Sequence, residues 1–382
     1  MSRAGAILDA QQSCMQAPKL MRAGVYRGKG CVEVEHVPVP EVADGEVLIR
    51  VSVCGICGTD IKKIFQGFIA PPQILGHEVA GTVVEVGRGV TKWKPGDRVM
   101  SYHHIPCGHC FYCERKLFSQ CAGYKKTGLT AGFTPNGGGF AEYVRAMPWV
   151  VDRGIVAIPS GITFEEATFI EPVNTCLKAV EKARVTAGET VLVIGQGPIG
   201  LLLMMLCKLA GATVFGSDPM PERRAKSREF GSDAAFDPKG GKLVDEIRAR
   251  TTGRGADAVL VAVPHPALVI EALAAARPGG RILLFAQNDP LMKIEFAAAA
   301  VGVEEKEILG SYSAAVDIQE TAAELIFSRK LPVARLVTHR FPLEQIQQAL
   351  ELAAKPTADS MKVLVIHDWA RLGTDRKEPE QT

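Results

Sequence analysis

No charge of one sign dominates this chain. Lys and Arg total 44 against 42 Asp and Glu, a formal net charge of +2 over 382 residues. That balance leaves no electrostatic footprint for a nucleic acid partner. Long hydrophobic runs are missing too. The apolar run at 201–206 (Leu-Leu-Leu-Met-Met-Leu) falls far short of the roughly 20 residues a membrane span needs, so no membrane partner is expected. Residues 1–20 hold one short apolar patch at 6–8 and no secretory h-region, so the cytoplasm is the expected compartment. Internal repeats and low-complexity tracts are absent. Ten cysteines are too few for a disulfide scaffold, yet four of them fall between 107 and 121. In a reducing compartment such a cluster points to metal before disulfide.

What is present is ordinary globular composition: 47% hydrophobic and 23% charged residues, enough to exclude disorder. At roughly 150 residues per domain the length predicts two or three domains. The first half reads as β-rich, with strands expected at 47–53 and 78–86, a turn at Gly96-Asp97 entering a third, and a glycine loop at 137–139 releasing into Phe140-Ala141-Glu142-Tyr143-Val144. No helix of length is expected before residue 163. There Thr163, with Glu166 three residues later, forms a capping-box signature. From Thr190 onward short β-branched runs at 191–194, 213–216, 258–263, 281–285 and 308–310 alternate with helical stretches at 200–210, 222–230, 243–250 and 268–276. That alternation predicts a parallel sheet with helices on both faces. After about Ser311 it stops, and helices near 317–327 and 343–353 lead to a closing strand at 362–366. The tail 371–382 is polar and expected to fray.

Val191-Leu192-Val193-Ile194 runs into Gly195-Gln196-Gly197-Pro198-Ile199-Gly200 and then an apolar stretch. This is G-x-G-x-x-G between a strand and a helix, the context a dinucleotide fingerprint requires. Gly195 allows the tight turn, Gly197 a close approach to a pyrophosphate, and Gly200 close packing of helix on strand. The next strand ends at Asp218, 18 residues past Gly200. An acid there can accept from both ribose hydroxyls of NAD and would repel a 2′-phosphate. Arg223 and Arg224 blur that preference, because a nearby arginine can receive a phosphate. They also read as solvated charges in the first turns of a helix.

Cys107, Cys110, Cys113 and Cys121 are spaced C-x2-C-x2-C-x7-C. Four thiolates at this spacing can close a tetrahedron around one structural zinc and leave no open position. An iron–sulfur cluster shares the C-x2-C-x2-C part, but the C-x3-C-P continuation is missing. His109 reads as a bystander. Three further motifs are unremarkable singly: Gly55-Ile56-Cys57-Gly58-Thr59-Asp60, Gly76-His77-Glu78 and Ile170-Glu171-Pro172. Together they supply a thiolate, an imidazole and two carboxylates, the donor set of a catalytic zinc with one position left for substrate.

With these motifs in this order, together with Gly96-Asp97-Arg98-Val99 and Phe140-Ala141-Glu142-Tyr143-Val144, the chain from about Met21 to Ile366 resembles the zinc-dependent medium-chain alcohol dehydrogenases, in their sorbitol and threonine dehydrogenase branch. The resemblance implies an α/β fold. A GroES-like β-rich catalytic domain (21–172 and 312–382) would carry a structural zinc lobe at 103–124. A doubly wound Rossmann domain binding NAD (173–311) would be inserted in it, and 1–20 would be an N-terminal extension. It implies that Cys57 and His77 bind the catalytic zinc, and that Glu78 and Glu171 share the remaining protein positions, one directly and one through water, family members differing on which. It places Gly195, Gly197, Pro198, Ile199, Gly200, Asp218 and Arg223 at the cofactor. Cys54 and Cys176 read as packing residues. It also implies a homodimer or homotetramer, whose subunits could pair through the edge strand near 308–310.

The implied chemistry is hydride transfer between a secondary alcohol (a polyol, sugar, cyclitol or amino alcohol) and NAD, with the ketone as product. Zinc lowers the pKa of the hydroxyl, and Thr59 stands where the family's Ser or Thr takes the alcohol proton. The family's relay ends in a His five residues after the zinc cysteine; here that residue is Lys62, beside Lys63. The proton then leaves through water and ribose or through Lys62. Two other functions compete: a zinc-ribbon binding or redox-sensing protein without dehydrogenase activity, and a zinc-free quinone or enoyl reductase. The metal-donor set at Cys57, His77, Glu78 and Glu171 argues against the second.

Overall fold

The computed structural model describes residues 17–133, 137–285, 291 and 293–367. Most of the expected extension at 1–20, and all of the tail at 371–382, lie outside the described residues. The chain divides into two compact units: one takes the residues up to Glu171 and again from Gln319, the other is Pro172–Ile318.

In the first unit β-branched runs lie back to back. Val47–Gly55 pairs antiparallel with Glu78–Val86, which pairs with Arg98–Ser101. On its other edge Val47–Gly55 pairs with the closing strand Lys362–Ile366, which is parallel to Val337–Pro342. Val47, Ile49, Val51, Val79, Val83 and Val99 are fully buried between these strands. The two ends of this stretch of chain thus form one eight-stranded sheet. A smaller three-stranded sheet joins Leu20–Gly28 to Cys31–Pro38 and Gln73–Ile74.

The expectation of no helix before residue 163 fails. Gly58–Gln66 is a nine-residue α-helix. Its apolar residues Ile61, Ile64 and Phe65 fall at i, i+3 and i+4, one face, and Ile64 is fully buried. Asp60 accepts the backbone N–H of Cys57 at 3.0 Å at the start, and Gly67, left-handed at φ 74°, ends it. The flanking glycines and short length hide this helix from a periodicity scan. Thr163 does cap Phe164–Thr168: its hydroxyl accepts Glu166 N–H at 3.1 Å, while Glu166 accepts Thr163 N–H at 2.9 Å.

The second unit is an all-parallel six-stranded sheet. Numbered by sequence, its strands lie in the spatial order third, second, first, fourth, fifth, sixth, from Ala234–Phe236 at one edge to Glu307–Gly310 at the other. This is the doubly wound dinucleotide-binding order, with the switch point beside the first strand, Thr190–Ile194. The short strand Ala234–Phe236 is absent from the sequence reading, because three residues give no period to detect. The helix Pro198–Leu209 is apolar all round and buried from Gly200 to Cys207, as a helix in a packed layer must be. Leu192, Phe215, Val259 and Ile282 from neighbouring strands meet Leu243, Ile247 and Leu273 from helices in one core. Among the described residues, no helix is long and apolar enough to cross a membrane.

Candidate functional site

The first unit gathers its chemistry where strand ends meet. Gly55 closes one strand and is paired in register with Glu78, which opens the next. A side chain at 55 would put its Cβ 1.9 Å from Glu78 Oε2, so glycine is needed for the carboxylate to lie there. Cys57 is the N-cap of the helix Gly58–Gln66, where the helix dipole favours negative charge, as on a metal-bound thiolate. His77 Nδ1 lies 3.3 Å from Asp60 Oδ1. That pairing fixes the ring and leaves Nε2 as the nitrogen for a metal, the usual arrangement of a metal-binding histidine with a carboxylate behind it. Burial alone would raise Asp60, but His77, Lys63 and the Cys57 N–H outweigh it and hold the carboxyl below its ordinary value.

Ligand-type atoms of Cys57, His77 and Glu78 lie within 4.8 Å of one another, and so do those of His77, His103 and Glu171. His77 is the shared corner. The donor set fits zinc: soft sulfur, imidazole and carboxylate, all on one spot of the fold. Glu171 is buried in the first turn of the helix Ile170–Lys182. Tyr102 lends its hydroxyl to Ile170 O at 3.5 Å beside it. Burial pushes the Glu171 carboxyl up to about 7; His77 pulls it down and Glu78 pushes it up. A dication would relieve that charge stress. Thr59 is half-buried, the second residue of the helix that Cys57 caps, and Lys62 is half-buried one turn on.

Three residues at this site escaped sequence reasoning. Lys362, first residue of the closing strand, forms an ion pair with Glu78 and donates to Ile56 O at 3.0 Å. Both side chains are buried, at 7% and 1% exposure. Burial works against the lysine charge, yet Glu78 and Cys57 outweigh it and raise the pKa above its ordinary value. A lysine heading an apolar strand was the available signal. Asp60 was quoted within its motif but given no role. His103, the first of two adjacent histidines, stacks at 4.5 Å from His77 and 4.0 Å from His104. Burial, with His104, His77 and Lys63, holds its pKa well below the ordinary value, so the ring is neutral. Cys54 and Cys176 are fully buried.

The four cysteines at 107–121 also converge, all Sγ atoms within 4.8 Å. Cys110 Sγ is 3.5 Å and Cys107 Sγ 3.9 Å from Cys113 Sγ. A tetrahedron of zinc–sulfur bonds has edges of about 3.8 Å, so the spacing suits a closed tetrathiolate. Backbone N–H groups of Cys107 and Gly108 point at the sulfurs of Cys121 and Cys113, each at 3.4 Å. His109 faces away, its Nδ1 3.0 Å from Cys107 O.

In the second unit Gly195 has φ 91° and donates its N–H to Ser217 O at 2.8 Å, making the turn. A Cβ on Gly200 would strike Gly195 O at 1.7 Å, whereas one on Gly197 would meet only Arg223 Nη1, at 3.8 Å. The backbone at Gly197 is therefore open to a ligand. Pro198 and Ile199 form the first turn of the following helix. Asp218 is buried; Oδ2 accepts Gln196 N–H at 2.8 Å and Oδ1 accepts Met220 N–H at 2.9 Å. It ties the glycine turn to the end of the second strand. The two arginines are not solvated as expected. Arg223 Nη1 is 3.8 Å from Asp218 Oδ2, and Arg224 donates to Asp218 O at 2.8 Å and pairs with Asp237 at 3.2 Å. Arg223 Nη1 lies over the turn, 3.8 Å from where a Cβ on Gly197 would stand.

A six-stranded doubly wound unit and a β-rich unit with two metal-donor clusters, in one chain, define a metal-dependent, dinucleotide-using class of protein. Profiles described as "Alcohol dehydrogenase GroES-like domain" and "Zinc-binding dehydrogenase" match residues 43–159 and 198–328. Sorbitol dehydrogenase of Bacillus subtilis is 30% identical over 91% of this chain and 98% of its own. L-threonine 3-dehydrogenase of Symbiobacterium thermophilum is 33% identical over 88% and 94%. The solved structure of a zinc-binding dehydrogenase from Sinorhizobium meliloti, bound to NADP, superposes with a TM-score of 0.82 at 31% identity, covering 92% of this chain and 100% of that one. The chain belongs to the zinc-type alcohol dehydrogenase family and is an NAD(P)-fold dehydrogenase.

Proposed function

We propose that the protein moves hydride between a secondary alcohol and NAD, yielding the ketone, and that the alcohol is a polyol, sugar, cyclitol or amino alcohol. The observation that carries this is the mixed donor cluster of Cys57, His77, Glu78 and Glu171 in a chain whose other unit bears the nucleotide turn. The similar sorbitol and threonine enzymes support the substrate range. Bound zinc would supply a Lewis acid that lowers the pKa of the substrate hydroxyl, and nicotinamide would accept the hydride.

Cys57 and His77 would hold zinc, with Asp60 fixing the imidazole. Lys362 engages Glu78, which leaves Glu171 as the carboxylate that faces the metal. Thr59 would take the proton from the alcohol. Cys107, Cys110, Cys113 and Cys121 would hold a second, structural zinc. Asp218 supports NAD over NADP: its charge lies in a buried position beside the turn, where a 2′-phosphate would be repelled. Arg223 lies close enough to soften that preference. Gly195, Gly197, Pro198, Ile199 and Gly200 would cradle the pyrophosphate at the helix N-terminus.

The subunits are proposed to pair as a dimer or tetramer. Among the described residues, Glu307–Gly310 has a strand partner on one side only, and Ile308 is 37% exposed on it. An open edge of this kind invites a second copy across a two-fold axis. Light scattering should give a closed oligomer, and Ile308→Lys should shift it toward monomer. The test of the activity is a panel of polyols, cyclitols and amino alcohols with NAD and NADP, read at the nicotinamide absorbance. Turnover with NAD and a secondary alcohol is the expected result; inertness toward the whole panel with both metal sites filled would favour the binding or sensing protein.

A further inference from the structure

His103 has no role in the reading above, yet its surroundings are those of a ligand. It follows the strand Arg98–Ser101 and stands four residues before Cys107. A donor nitrogen of its ring, one of His77 and a carboxylate oxygen of Glu171 all lie within 4.8 Å of one another. The rings of His77 and His103 are 4.5 Å apart at 44°, so their nitrogens converge without the planes lying flat on each other. Nδ1 of His103 is shielded from solvent and, among the described residues, finds no hydrogen-bond partner. Buried ring nitrogens are normally satisfied, and one that is not points to a bound ligand. The ring of His104 packs against it, centroids 4.0 Å apart, and is itself packed on Tyr124 at 5.1 Å. This keeps the ring in place against the cluster.

We propose that His103 is a second imidazole donor to the open metal centre, completing with Cys57, His77 and Glu171 a four-donor set in the resting protein. The inference rests on the reading of that cluster as a metal centre. A four-donor set is unusual for a catalytic zinc, which normally has three protein ligands. It would make one protein donor displaceable, and His103 suits this because it sits on a non-helical segment after a strand end rather than within a strand.

The test is the number of imidazole nitrogens coupled to cobalt(II) placed at the open site, read by electron–nuclear double resonance. Two are expected in the wild-type protein and one in His103→Phe. The same variant should bind the open-site metal at least ten-fold more weakly, and millimolar imidazole should restore the affinity. His103→Asn, which keeps a polar group, and a thermal melt of each variant guard against a collapsed segment. A single imidazole in the wild type, with unchanged metal affinity in both variants, would overturn the proposal. Cys57→Ser separates the two failures. If it loses metal while the His103 variants do not, the centre stands and His103 is not part of it. If neither change affects metal content, the reading of the cluster itself falls.

Discussion

The two donor clusters of the first unit solve opposite problems. At 107–121 four identical ligands come from one short stretch of chain, and neighbouring N–H groups point at their sulfurs. The other cluster draws on residues 57, 77, 78 and 171, carried by a helix cap, a strand entry and a second helix, and adds a buried lysine from 362. The first is a self-contained clip. The second is an arrangement of mixed charges in which thiol, imidazole, carboxyls and ammonium depend on one another. A clip needs only its zinc to be stable. The mixed site holds charged groups that burial disfavours and that only their partners keep ionised.

Several changes would break or sharpen that contrast, beginning with the largest effect. Cys57→Ala should lower turnover by more than about a thousand-fold, since the catalytic ion supplies most of the activation of the hydroxyl. Dinucleotide titration should still give binding, because the six-stranded unit has a core of its own. Cys113→Ala should act the other way, with the melting temperature falling and zinc content dropping by one per chain, because structural zinc contributes folding free energy. Activity should follow stability in that variant rather than lead it.

Lys362→Met should cost about 3–5 kcal/mol, since it strands Glu78 in the interior without its partner. Lys362→Met combined with Glu78→Gln should recover part of this in chemical denaturation. Full stability in the single variant would show that the pair is not the charge balance described.

Acid should loosen the open site through a carboxyl, a ligand type that the clip lacks. The Glu171 carboxyl has its pKa raised to about 7 by burial. A proton on it therefore competes with the metal below that pH, adding up to about ten-fold per unit to the loss of affinity that protonation of Cys57 and His77 brings. Glu171→Gln should bind metal less tightly and flatten the slope, as competition titrations with a chelator would show. The smallest effect is expected at the nucleotide turn. Asp218→Asn keeps one oxygen to accept from Met220 or Gln196 N–H, gives up the other hydrogen bond and removes the charge, so the NAD to NADP ratio of kcat/KM should shrink by about ten-fold.

Legibility followed the distance between cooperating residues. The C-x2-C-x2-C-x7-C run and the G-x-G-x-x-G turn lie within short windows and announce their own geometry, and the parallel strands of the second unit announce themselves by alternation. Glu171 and Cys57 could be named from motifs, but not which carboxylate faces the metal, because that depends on Lys362, some 300 residues away in sequence from its partner Ile56 O. His103 carries no motif; its place against His77 follows only from where the strand Arg98–Ser101 ends. The nine-residue helix after Cys57 was hidden by its glycines. The ion pairing and half-burial of Arg223 and Arg224 were hidden because a helical period says nothing of which end folds over a turn.

The most direct measurement of the account is a chelator titration of the purified protein, with zinc per chain, dehydrogenase activity and melting temperature followed together. Two zinc ions per chain are expected at the start. Activity should vanish as the first leaves, with little change in melting temperature, and stability should fall only as the second follows. Loss of stability with the first ion, or full activity with one ion left, would contradict it.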